Sequence, residues 1–363
     1  KSADLFFLGG GINVSKNRNK YAGFFEIQPK PIENIDIKIA GRFEEFENDS
    51  SFDPKISFKY SLSDDITLRA SRSSSFSMPS MAQMFSSDIN LGSVRDFNGD
   101  SPFVRQAQIG NPNLKPATSK NLNIGLIFEN QKQRLSIDYW NINYKNRIEA
   151  QSAQVILNTN PNGSSITRNS SGDLIGVTTT YFNEESTEVS GVDLNFNRLI
   201  STSDKYGNVS LSINSTTLIE FLTPALSNEG GEFMIDRVGK FNYDTNTHSL
   251  PKNRINAFLN WKYQDYDINF NSRYIDGYSN QRPINSLGTL YGYNNSVDSF
   301  FVHDLSLKKQ LFTNKGEINI KLSIINLFDE SAPRLYDAPD FSFDTRVHDP
   351  RGRIVGINFE YRH

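Results

Sequence analysis

Histidine is the side chain best suited to move protons near neutral pH, and this chain has four: His248, His303, His348 and His363. They are scattered, with no pair at the spacing that ligands of one metal adopt. Cysteine is absent, which removes thiol catalysis, disulfide frameworks and thiolate metal sites together. That absence fits an oxidising compartment outside the cytoplasm. A Ser–His–Asp set can be drawn in any chain so rich in serine. No G-x-S-x-G elbow between a strand and a helix raises one serine as nucleophile, and no enzyme is expected. "GGG" at 9–11 is followed by neither Lys-Ser/Thr nor a helical pattern, so it reads as a kinked strand rather than a phosphate loop. In "DAPDFSFD" (337–344), Asp337, Asp340 and Asp344 offer hard oxygen ligands at a spacing that matches no dedicated calcium loop, and a solvated loop is the expectation. Met78, Met81 and Met84 bring soft sulfur close together, though flexible apolar packing is the commoner use of such a group. No resident metal or cofactor is expected.

What remains is recognition chemistry. Arg95, Phe97, Phe103 and Arg105 fall in one irregular segment, Tyr291 and Tyr293 in a second, Arg334 and Tyr336 in a third. Guanidinium groups beside aromatic faces hold anionic chelates by charge and sugars by stacking. These residues are the predicted ligand contacts, and they need a rigid frame to present them.

The frame is written in period two. In "RIVGINFEYRH", Val355, Ile357, Phe359 and Tyr361 point one way along a strand, while Gly356, Asn358, Glu360 and Arg362 point the other. The alternation recurs about a dozen times, from Tyr21, Gly23, Phe25 and Ile27 through Ile56 to Leu62, Leu122 to Phe128 and Ile318 to Ile324. It predicts about thirteen strands and little helix. Short turns at 29–34, 61–65, 129–132, 201–208, 263–266 and 313–316 alternate with long polar-aromatic connections. Those connections run roughly 73–116, 148–187, 222–250, 278–297 and 329–349, with "ENDSS" (47–51) as the one short exception. A sheet with water at both ends has no reason for such one-sidedness; a transmembrane barrel has.

Composition agrees. The 363 residues are 37% hydrophobic and 12% aromatic, with a mean hydropathy of -0.51. That is too polar for a helical membrane protein and too aromatic for a disordered one. No apolar run approaches the roughly 18 residues of a membrane helix. The net charge of -3 gives no electrostatic case for nucleic acid. In lipid the backbone must pair within a closed sheet, so an apolar exterior and a wet lumen make every strand two-faced. Tyr60, Phe128, Trp261, Tyr263, Phe359 and Tyr361, near strand ends, suit interfacial girdles. A soluble all-β protein also alternates, but does not segregate its loops by length.

Five segments, in order, resemble the TonB-dependent outer-membrane receptors of Gram-negative bacteria. "FDPKISFKYSLSDDITLRASRSSSFSMPSMAQMF" (52–85) looks like the strand, tight turn and LRAS-type strand that lead to an FRAP-like box. "GNPNLKPATSKNLNIGL" (110–126) looks like the NP-x-L-x-P-E-x-S entry to the next strand, with Ala117 where Glu is usual. "VSGVDLNF" (189–196) resembles the V-x-G-x-E/D strand. "INLFDE" (325–330) and "RGRIVGINFEY" (351–361) resemble the C-terminal close, which here runs on to Arg362 and His363. Haem receptors of this family carry a ligand histidine between the two boxes. "FSMP" (76–79) and "NPNL" (111–114) enclose none, so the resemblance does not extend to haem.

The resemblance implies an all-β, antiparallel transmembrane β-barrel of about 22 strands around a plugged lumen, of which about thirteen are present. Residues 1–363 then form the C-terminal part of a single barrel domain, with the N-terminal plug and first strands outside this sequence. It further implies a bacterial outer-membrane receptor that binds a scarce ligand, a siderophore-like chelate or oligosaccharide, at extracellular loops. Its partners would be that ligand, outer-membrane lipid and, through the missing N-terminal region, the TonB complex that energises uptake. A passive porin-like channel or a surface-binding barrel is the alternative.

Overall fold

The computed structural model describes residues 9–11, 14–46, 49–226, 232–242, 249–280, 284, 286–336 and 342–363. Alternating side chains need a sheet with two different sides, and among the described residues thirteen successive antiparallel strands form the wall of one. In chain order they are β1 (Lys20–Ile27), β2 (Ile35–Phe46), β3 (Ser50–Ser61), β4 (Ile66–Ser77), β5 (Ala117–Glu129), β6 (Gln133–Ala150) and β7 (Leu174–Ser203). Then come β8 (Gly207–Leu226), β9 (Asn253–Tyr263), β10 (Tyr266–Ile275), β11 (Phe300–Thr313), β12 (Gly316–Ile325) and β13 (Ile354–Arg362). Each pairs antiparallel with the next. Among the described residues β1 and β13 are each paired on one side only.

The register stacks like with like. One row runs Ile37, Phe58, Ala70, Ile124, Tyr139 and Val192; the neighbouring row on the other face runs Asp36, Lys59, Arg69, Gly125, Asp138 and Asp193. The apolar rows do not meet one another in a dry centre. Ile124 is 50% exposed and Ile357 76% exposed. The polar face carries the ion pairs, including Lys59–Asp36, Lys38–Glu26 and Arg273–Asp304. A wall that is apolar outside and charged inside is what hydrocarbon on one side and a wet lumen on the other require. Among the described residues no helix is long and apolar enough to cross a membrane.

Within that wall Arg69 of β4 reaches over β5 to Asp138 of β6. Its Nε and Nη2 donate to the two carboxylate oxygens at 2.7 and 2.5 Å. The residue they cross is Gly125, where a Cβ would lie 2.0 Å from Asp138 Oδ1. A Cβ at Gly125 would force the Asp138 carboxylate or the Arg69 guanidinium to shift.

One end of the wall is tight. Strand pairs close through Gln264–Asp265 and Asn314–Lys315 alone, with Gln264 at φ 50°. Asn130 Oδ1 accepts from the amides of Lys132 and Gln133, an Asx turn between β5 and β6. Aromatics gather here with their polar tips bound: Trp261 Nε1 donates to Tyr206 O (2.8 Å), Tyr361 Oη to Lys315 O (2.7 Å) and Lys309 Nζ to Tyr266 Oη (2.9 Å).

The other end is built up into a crown of long connections. These are shorter than the sequence suggests between β6 and β7, because both strands run on past the wall and stay paired up to Ala150 and Tyr181. Polar residues such as Asn183, Glu184, Glu185 and Ser186 hid that extension. A ribbon solvated on both faces has no alternation to read.

Candidate functional site

The first crown module grows on the free leg of β7. Strands Ser87–Ser93 and Phe103–Ile109 form a hairpin, and the latter lies parallel to β7 from Gly176 opposite Arg105 to Thr180 opposite Ile109. Gly9–Gly11 pairs with residues 88–90, a short strand as its sequence suggests. Two short helices flank the hairpin. α1 (Met81–Phe85) starts in a capping box of Ser80 and Gln83; it carries Met81 and Met84. α2 (Ala153–Thr159) starts at Ser152, whose hydroxyl accepts from Val155 N. Ala153 and Leu157 of α2 bury themselves against Val94, Val104, Leu174 and Val177. Burying such side chains stabilises by about 1.5–3 kcal/mol each, enough to order a loop that has no lipid to lean on.

Of the predicted contacts on this module, Arg95 has its backbone clamped by Gln154, which accepts from its N–H (2.8 Å) and donates to its carbonyl (2.9 Å). Phe97 is mostly exposed and forms a lid 4.9 Å from the guanidinium of Arg168. Phe103 and Arg105 stand exposed on their strand. Arg168, which the sequence reading missed, is the organising charge. It donates to both carboxylate oxygens of buried Asp96 at 2.7 and 2.8 Å, and holds that carboxyl below the usual range. Nothing in the spacing of Asp96 and Arg168 announces the pair.

The second module brings Tyr291, Tyr293, Arg334 and Tyr336 together from two connections. The Arg334 guanidinium lies 4.2 Å over the Tyr293 ring and donates to Tyr291 O at 3.2 Å. Tyr336 meets Tyr293 edge-on at 5.5 Å, and its carbonyl accepts from Asn280 (3.2 Å). Hydrogen bonds from Ser342 and Arg334 hold the Tyr293 hydroxyl below the usual phenol range. Beneath this cluster Leu335, Phe241, Tyr278 and Val297 form a small dry core.

That core encloses a polar triplet. Tyr278 Oη donates to Asp344 Oδ2 (3.0 Å) and lies 3.2 Å from His348 Nε2. Burial pushes the Tyr278 phenol far up and holds the His348 imidazole down to about 4. Asp344 also accepts from the amide of Arg346 (3.0 Å), so it is engaged in fastening the loop. Asp337 and Asp340 lie outside the described residues, as does His248.

The predicted contacts therefore make two surfaces rather than one. A third feature sits at the tight end, on the polar face of the wall: a cavity of about 850 Å³ lined by Lys30, Lys38, Lys59, Arg69 and Arg134, with Asp36 among them. These cations were legible only as the polar half of each strand.

Two of the segments that carried the resemblance, 110–126 and 325–330, clasp strand-to-crown junctions. Asn111 donates to Tyr181 O (2.9 Å), while Asn183 exchanges hydrogen bonds with the backbone of Lys115 at 2.7 and 2.8 Å. At the other side Asn326, in the left-handed region at φ 55°, exchanges bonds with Glu330 and donates its N–H to Asp304 (2.9 Å). Asp329 accepts from the amide of Arg353 at the entry to β13 (2.7 Å).

A family model described as "TonB dependent receptor-like, beta-barrel" matches residues 5–327. Among solved structures, the siderophore receptor PirA from Acinetobacter baumannii is 18% identical with a TM-score of 0.62, over 94% of this chain and 45% of that one. A mutant of the ferric enterobactin receptor PfeA from Pseudomonas aeruginosa, in complex with enterobactin, is 15% identical with a TM-score of 0.63, over 94% and 45%. The FrpB iron transporter from Neisseria meningitidis is 11% identical with a TM-score of 0.57, over 95% and 44%. The chain thus spans less than half the length of these structures. No curated protein matches it.

Proposed function

Since the chain belongs to the TonB-dependent receptor β-barrel family, we propose that it is the loop-bearing part of a receptor that captures an anionic, siderophore-like metal chelate for TonB-energised uptake. The family and its solved neighbours are outer-membrane receptors and transporters rather than enzymes, and this chain lies in the outer membrane. The observation that carries the choice of ligand is the Arg334–Tyr293 pair on the crown, ringed by Tyr291 and Tyr336. Such a group meets a planar, negatively charged aromatic chelate with charge and ring faces together. The cation-rich cavity on the lumen face continues the same sign of charge toward the tight end. Phe97, Phe103 and Arg105 offer a second, shallower contact. PirA and PfeA, named for siderophore and ferric enterobactin, support the same ligand class.

On this reading residues 1–363 are the C-terminal part of the barrel domain, a preceding plug fills the lumen, and the TonB complex acts through that preceding region. Binding involves no covalent step by this chain. The test is uptake of radiolabelled ferric catecholates by cells in which the full-length protein is the sole siderophore receptor. Uptake is expected to vanish on deletion of TonB. Arg334→Ala combined with Tyr293→Ala is expected to weaken binding about 5- to 30-fold, the scale of a desolvated cation–π contact. Uptake that survives TonB deletion, or a large steady conductance of the purified protein, would place it among passive channels instead.

A further inference from the structure

On the face of the wall that meets hydrocarbon, the apolar rows of β4 and β5 end in cations. Along β4 the outward residues are Ile66, Leu68 and Ala70, then Arg72; along β5 they are Phe128, Leu126, Ile124 and Leu122, then Lys120. On β6 the row passes from Leu135, Ile137 and Tyr139 through Asn141 and Asn143 to Lys145. Register fixes the relation of the three charges. Arg72 is opposite Leu122, Lys120 is opposite Ser74 and Asn143, and Lys145 is opposite Thr118. Neither pairing contains a register shift, so all three side chains leave the same face, each one diagonal step from the next. Such a step separates backbones by about 7–8 Å.

All three side chains are exposed, and among the described residues none makes an ion pair or a side-chain hydrogen bond. The neighbouring carboxylates are engaged elsewhere: Glu188 of β7, opposite Asn143, accepts from Asn141 Nδ2 at 3.3 Å, Glu184 pairs with Arg147, and Asp53 accepts from the Ser74 hydroxyl at 3.3 Å across from Lys120. On the lumen face some cations are paired, as Lys59 is with Asp36 and Arg69 with Asp138, and one unpaired among the described residues, such as Lys55, faces water rather than lipid. An unmatched guanidinium and two ammonium groups at the edge of hydrocarbon are placed where an anionic headgroup can meet them.

We propose that Arg72, Lys120 and Lys145 form a docking ladder for the phosphorylated headgroup of an outer-leaflet lipid. The Arg72 fork takes one phosphate bidentately, and the two lysines above it neutralise the rest of the headgroup. The acyl chains of that lipid lie along the apolar rows below, beside Leu68, Ile124 and Ile137. This surface is on the opposite face of the sheet from the lumen cavity, so it serves the lipid rather than the transported ligand.

The experiment titrates the full-length protein, purified in detergent at low salt, with phosphorylated lipid A and with enzymatically dephosphorylated lipid A. A membrane surface contributes about fivefold in affinity per cation. Arg72→Gln/Lys120→Gln/Lys145→Gln is therefore expected to weaken phosphorylated lipid A on the order of 100-fold, and dephosphorylated lipid A should bind the parent protein comparably poorly. Lys55→Gln is the control: it faces Ser73, one row away on the lumen side, and should leave binding unchanged. Should the triple variant fail to fold, Lys145→Gln alone, at the crown edge, should still lose about fivefold. Unchanged binding by the substituted protein, an equal loss with Lys55→Gln, or equal binding of the dephosphorylated lipid each overturns the ladder.

Discussion

Ile357 in the wall and Leu335 in the crown are both aliphatic, yet the first is 76% exposed and the second 1% exposed. The wall turns its apolar residues outward and most of its charges inward; a few tens of residues away the crown does the reverse. The chemistry of the side chains is the same. What differs is the solvent each region must satisfy, lipid for the wall and water for the crown. Below the rim a leucine is stabilised by hydrocarbon with no protein partner. Above it, a leucine is stabilised only by finding other apolar groups, so the crown condenses into two small dry cores.

The contrast gives the largest expected effect to Leu157→Ala in the first crown core. Removing a buried leucine costs about 2–5 kcal/mol, so hydrogen exchange should quicken at Val94, Val104 and Leu174 while β3–β5 keep their protection. Loss of protection in the wall as well would mean the two regions are not independent. Ile124→Arg tests the other side. A cation near the bilayer midplane costs about 2–4 kcal/mol in lipid and far less in a detergent that lets it reach water. Refolding into bilayers should suffer and refolding in micelles should not; equal loss in both would mean Ile124 packs against protein.

The smallest effect is a pH dependence confined to the second crown core. His348 is held down to about 4 there, against about 6.5 for the opened loop, which therefore binds more protons between those values. Stability is full above about pH 6.5 and falls by about 1–3 kcal/mol as pH drops toward 4. The Asp344 carboxylate opposes the drop in the histidine and Arg254 reinforces it. Exchange at Tyr278, Val297 and Leu335, corrected for intrinsic rates, should quicken over that window. His348→Phe, which keeps a ring beside Tyr278, should abolish the change; persistence of the pH dependence would assign it to another group.

Much of the wall was legible because period two is a local property. Ile37, Phe58 and Ile124 declare their face by their immediate neighbours, and the short-turn, long-loop alternation follows by counting. The candidate site was legible only in kind. Tyr291, Tyr293, Arg334 and Tyr336 were readable as cation-plus-aromatic residues, and their convergence was not, since Arg334 is more than 40 residues from its ring partner. Arg95, Phe97, Phe103 and Arg105 are neighbours in sequence but do different work. Arg95 is clamped by its backbone, Phe97 caps Arg168, and the other two stand free on a strand.

The sequence by itself determined that this chain is a two-faced antiparallel sheet with one elaborated end, because alternation is imposed residue by residue by the solvent on either side. Tertiary structure alone decided which cations are neutralised and which are left to the membrane. Arg69 finds Asp138 over the gap at Gly125, and Arg168 finds Asp96 across 72 residues of chain. Arg72, by contrast, faces out and makes no ion pair among the described residues. Charge pairing depends on distances of a few ångströms between strands, and those are fixed by register and fold, which no local pattern of residue types contains.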